Sequence, residues 1–141
     1  MDIFAKIFLE DQDKYIFGPG RAALLRAVDE LGSLRKAAHK LGISYRWAWG
    51  RLKDAEKALG VNLLAHEPGT GGKAKILTSE ARELLAWYSA IEKNLATVLA
   101  KLVAKQPDFL RRTASRQFDT EAMHARLHHA QHHAPRLRTG V

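Results

Sequence analysis

Three glycines punctuate the first half of the chain: Gly32, Gly42 and Gly60 each follow a short stretch with apolar residues at helical spacing. A glycine placed just after a helical pattern is a stop signal, because it adopts the left-handed backbone that a helix C-terminus needs. Ser33 and Ser44 stand where the next helices should begin, and serine is a favoured N-cap. The chain is therefore cut into three helices joined by very short connectors. Leu24, Leu25, Val28 and Leu31 give the first its apolar stripe. Leu34, Ala37, Ala38 and Leu41 give the second, and Ala48, Leu52, Ala55 and Leu59 the third.

Strand patterns flank this unit. "DIFAKIFLE" and "YIFG", separated by polar "DQDK", read as a small hairpin. "VNLLAHE" and "AKIL", separated by the glycine-rich "PGTGGK", read as a second one. Thr78 then caps a long helix that runs to the neighbourhood of Pro107. Two helices in a tight turn, a capped third helix and a strand–turn–strand spell a winged helix-turn-helix. The expected fold class is mainly α with small β hairpins: a winged helix-turn-helix plus a long C-terminal dimerisation helix. The expected division is a DNA-binding domain over residues 1–77, the long helix over 78–106, and a basic, His-rich flexible tail over 107–141, with room for a short helix after Asp119.

The function classes follow from charge. Among 141 residues the formal net charge is +8, which favours a polyanionic partner, nucleic acid before an anionic membrane surface. The absence of cysteine excludes thiolate metal sites and disulfides. The N-terminus lacks the pattern of a signal peptide. No apolar run reaches the ~18 residues that span a bilayer. A cytoplasmic protein with no membrane partner is expected.

The third helix carries the chemistry. Its core stripe leaves Arg46, Gly50, Lys53 and Lys57 on the opposite side, where Arg46 and Lys53 can reach phosphates or guanine edges. Ser44 and Tyr45 sit at the helix N-terminus, where recognition helices meet DNA. Trp47 and Trp49 fall on the flanks and are read mainly as wedges packed under the helix, with Trp49 at the edge of the DNA face. Arg21, Arg35, Lys36, Lys73 and Lys75 are further candidates for phosphate contacts. In the long helix, Leu84, Tyr88, Ile91, Leu95, Val98 and Leu102 form an a/d seam suited to a partner helix, although some turns can pack on the chain's own domain.

The combination of "FGPGR", "GISYRWAW" and the wing "GTGGKAKILT" resembles the DNA-binding domain of ModE-type molybdate-responsive transcription regulators, itself similar to the LysR-type winged helix. The resemblance covers roughly residues 3–101. It implies a homodimer that binds palindromic double-stranded operator DNA through the third helix and the wing. It also implies that oxyanion sensing resides in separate C-terminal domains, so no small-molecule effector and no cofactor are expected within these 141 residues. The wing is poorer in glycine than the family's, and Ala81 stands where LysR-like sequences usually have glycine.

Other chemistries fit less well. "GTGGKA" lacks the Ser or Thr after lysine that a phosphate-binding loop needs, and a strand follows it. His124, His128 and His132 have the i, i+4 spacing of a zinc or nickel site, which makes a metal-responsive regulator an alternative. A partner module for a separate sensing chain is another. With no nucleophile–base pair and no paired carboxylates, an enzyme is not expected.

Overall fold

Ser33 and Ser44 set the frame of the domain. Each side-chain oxygen accepts from the backbone N–H three residues on, Lys36 at 3.2 Å and Trp47 at 3.1 Å, satisfying a donor that the first helical turn leaves open. Gly32 and Gly60 close the preceding helices in the left-handed conformation, with φ of 66° and 70°. The computed structural model describes residues 2–72 and 74–113. Its elements are β1 (Leu9–Asp11), β2 (Lys14–Phe17), α1 (Pro19–Leu31), α2 (Leu34–Lys40), α3 (Tyr45–Leu59), β3 (Leu64–His66), β4 (Lys75–Leu77), α4 (Ser79–Val103) and α5 (Asp108–Thr113).

The two hairpins are separate antiparallel pairs. In the first, Leu9, Glu10 and Asp11 face Phe17, Tyr15 and Lys14, with an irregularity between Leu9 and Glu10. Gln12 and Asp13 form its turn with φ of 48° and 62°, the paired positive angles of a tight hairpin loop. The strand is shorter than "DIFAKIFLE" suggests. Upstream of Leu9 the chain has no partner strand among the described residues, and the Ile7 carbonyl instead accepts from the Tyr88 hydroxyl at 2.9 Å. In the second hairpin, Leu64, Ala65 and His66 face Leu77, Ile76 and Lys75. The Lys75 amide also bonds the Gly32 carbonyl at 2.9 Å, tying this wing to the end of α1.

The core lies between α1, α2 and α3 and is closed by Phe17, Leu63, Leu77, Ala81 and Tyr88. Ala37 and Ala38 on α2 and Ala48 and Ala55 on α3 are fully buried, and small side chains at these crossings let the helices approach closely. Phe17 and Tyr88 meet edge to face, centroids 5.2 Å apart, a favoured aromatic geometry.

This pairing corrects one seam residue. Tyr88 is fully buried within its own domain, so it cannot face a partner helix, and Leu84 packs against the same core. The large apolar side chains exposed on α4 are Trp87, Val98 and Leu102, while Ile91 and Leu95 are half-buried. A seven-residue repeat and a core-facing stripe draw on the same positions, and the first turns of α4 serve the domain. A second correction concerns the segment after Pro107. Asp108–Thr113 is helical, and Arg111 donates to the Ala104 carbonyl at 3.1 Å and pairs with Asp108. The helix expected after Asp119 and the histidines at 124, 128 and 132 lie outside the described residues. No helix among the described residues is long and apolar enough to cross a membrane.

Candidate nucleic-acid interface

α3 turns three kinds of face outward from its buried stripe. Ala48, Leu52 and Ala55 anchor it, while Leu59 is half-buried at its end. Arg46, Lys53 and Lys57 are exposed on the far side, around a half-buried Gly50. On the two flanks stand Trp47 and Trp49, 46% and 48% exposed. They are therefore not the buried wedges expected from their size. Instead a cation covers each ring four residues along the helix: the Arg51 guanidinium lies 4.6 Å from the Trp47 ring and the Lys53 ammonium 5.7 Å from that of Trp49. Tyr45, also exposed, is covered from α2 by Arg35 at 4.5 Å. Such contacts contribute roughly 0.5–1 kcal/mol each at exposed sites and hold the cations in place along the helix. The i, i+4 spacing that pairs tryptophan with cation is present in the sequence and is the signal that marks these rings as surface residues.

A shallow concavity opens on this side of α3, lined by Ser44, Arg46, Trp47, Gly50, Arg51 and Asp54. Lys36 is exposed on α2. In the wing, the Lys75 ammonium lies 3.0–3.2 Å from the two ring nitrogens of His66, whose Nδ1 is 2.9 Å from the Gly72 carbonyl. Lys73 lies outside the described residues.

Arg21 is not part of this surface. It is only 7% exposed, donates through Nη1 to the Ile16 carbonyl, and lies 4.4 Å from the Tyr15 ring centre. Burial lowers its pKa from the ordinary arginine value, with Tyr15 countering that effect. Its place at the start of α1 suggests exposure, but β2 folds back over it. It holds the first hairpin against α1 and is unavailable to a phosphate.

Glu56 is a further residue that sequence patterning missed. It is 8% exposed, accepts from the Leu63 amide at 2.9 Å and pairs with Lys53 at 2.6 Å. Desolvation pushes its carboxyl up, but the bonds from Lys53 and Leu63 outweigh this and hold it below the usual carboxylate range. Glu56 thus joins the end of α3 to the chain entering the wing and positions Lys53 beside Trp49. No heptad or capping rule marks such a residue, because its partner is a backbone amide brought close by the turn at Gly60.

Residues 21–82 match the family of bacterial regulatory helix-turn-helix proteins, lysR family. Over 84 residues, 59% of this chain and 31% of the relative, the sequence is 34% identical to the molybdenum-pterin-binding protein MopB of Rhodobacter capsulatus. Over 86 residues it is 34% identical to the transcriptional regulator ModE of Haemophilus influenzae, covering 59% of this chain and 33% of the relative. The match spans about a third of the length of these curated relatives. Among solved structures, the BenM_DBD/benA site 1 DNA complex is similar with a TM-score of 0.43 and 24% identity, over 70% of this chain and 97% of that one.

Proposed function

We propose that this chain, which carries a lysR-family helix-turn-helix domain over residues 21–82, is a transcription regulator that binds double-stranded DNA sequence-specifically as a homodimer. The observation that carries the reading is the outward face of α3, where Arg46, Lys53 and Lys57 surround Gly50 between two cation-covered tryptophans. Arg46 is suited to a bidentate contact with guanine, and Tyr45 and Ser44 to the backbone at the helix N-terminus. Arg35, Lys36 and Lys75 supply phosphate contacts on either side. Exposed Val98 and Leu102 on α4 support pairing of two chains. Two copies would then read half-sites about 34 Å apart, one DNA turn.

Selection of bound fragments from genomic DNA, followed by affinity measurements over a salt series, tests this. Each phosphate neutralised contributes about −0.9 to the log–log slope. A steep slope is expected, together with a larger loss of specific than of non-specific affinity in Arg46→Ala. A flat salt dependence refutes DNA binding, and equal losses reduce Arg46 to a phosphate contact.

A further inference from the structure

Nothing among the described residues gives Gly50 a structural reason to be glycine. It lies in the middle of α3, where the backbone is helical, and a Cβ built there meets nothing within 4 Å. Its φ is not positive, and no neighbouring element among the described residues crowds it. Glycine in a helix interior is among the least favourable residues, and alanine the most favourable. The fold would therefore gain from a methyl group at this position. Nothing among the described residues calls for glycine here, which leaves contact with a partner as its use.

The surroundings indicate what approaches. Gly50 belongs to the shallow concavity whose walls include Arg46, Trp47 and Arg51. Among these walls, the glycine Cα and the face of the Trp47 ring offer the apolar contact. Base edges in the major groove present donors, acceptors and one apolar group, the 5-methyl of thymine. We propose that Gly50 is a specificity-determining residue: the α3 backbone closes onto the major groove there and receives a thymine methyl against Trp47, beside a base pair contacted by Arg46. This rests on the DNA-binding reading above and names a base feature that this face reads.

The test combines a protein change with a DNA change of the same size. Gly50→Ala adds one methyl to the protein. Replacing a single thymine by uracil removes one methyl from the duplex. The duplex is a selected operator fragment, substituted dT→dU one position at a time. Gly50→Ala is expected to raise Tm by about 5 °C and to weaken operator binding about tenfold. In the wild type, uracil at one position per half-site is expected to weaken binding about fourfold, the effect of one buried methyl. In Gly50→Ala that same substitution should have little effect, because the contact is already lost. A Gly50→Ala protein that is stabilised and binds as tightly as wild type overturns the proposal and leaves DNA binding standing. So does a full fourfold loss in both proteins at every sensitive thymine. Failure of the wild type to retain any duplex refutes the DNA-binding reading itself.

Discussion

Removing the Glu56 carboxylate separates two roles that one side chain fills. In Glu56→Ala the Leu63 amide, within a residue that is almost completely buried, loses its acceptor. An unsatisfied buried donor costs about 1–3 kcal/mol. The ion pair to Lys53 adds less than about 1 kcal/mol, because the lysine side chain is half exposed at 47%. Glu56→Gln keeps an acceptor for Leu63 and loses only the charge, so its cost should be about 1 kcal/mol. With a urea m-value near 1–1.5 kcal/mol/M for a domain of this size, the midpoint should fall by roughly 2 M in the alanine variant and under 1 M in the glutamine variant. The carboxyl is held below its ordinary range, so its stabilisation is fully present above the unfolded pKa and is lost as pH falls through the folded one. Wild type and Glu56→Gln should accordingly converge in stability below about pH 4. Equilibrium urea unfolding by circular dichroism between pH 3 and pH 7 measures both effects. Equal midpoints for the two variants at pH 7 would refute the assignment of Leu63 as the principal partner. A difference between wild type and Glu56→Gln that grows on acidification would refute the sign.

Arg21→Met should lower stability by about 1–2 kcal/mol, through loss of the bond to Ile16, and leave the salt slope of DNA binding unchanged; Arg35→Ala should reduce that slope by about 0.9, and a matching reduction in Arg21→Met would return Arg21 to the DNA surface. Val98→Asp combined with Leu102→Asp should halve the mass measured by light scattering without loss of helicity, since both residues are exposed on α4. An unchanged mass would exclude that part of α4 as the dimer contact.

Much of the fold is legible because its signals are local. Ser33, Ser44, Gly32 and Gly60 act through hydrogen bonds within one helical turn, and all four cap as their positions suggest. Thr78 likewise accepts from the Ala81 amide at the start of α4. What periodicity cannot supply is the element that covers a given face. Tyr88 sits on a regular seam, yet Phe17 and the Ile7 carbonyl arrive from the far end of the sequence to enclose it. Arg21 is enclosed in the same way by β2. The tryptophans show the reverse: their size implies burial, but the described residues include no element covering their outer sides. Of the candidate interface, the angular arrangement around α3 was readable from spacing alone. The covering of Trp47, Trp49 and Tyr45 by cations was readable only in part, because Arg35 reaches Tyr45 from a different helix.

Thr78 holds more than a cap. Its amide bonds the Leu63 carbonyl at 3.1 Å, its hydroxyl donates to the Asn62 carbonyl at 2.7 Å, and its oxygen still receives the Ala81 amide. Leu63 in turn donates to Glu56 at the end of α3. The start of the long helix is therefore bolted, through one threonine, to the segment that leaves α3. Loss of the Thr78 side chain would release the start of α4 and the segment leaving α3 together.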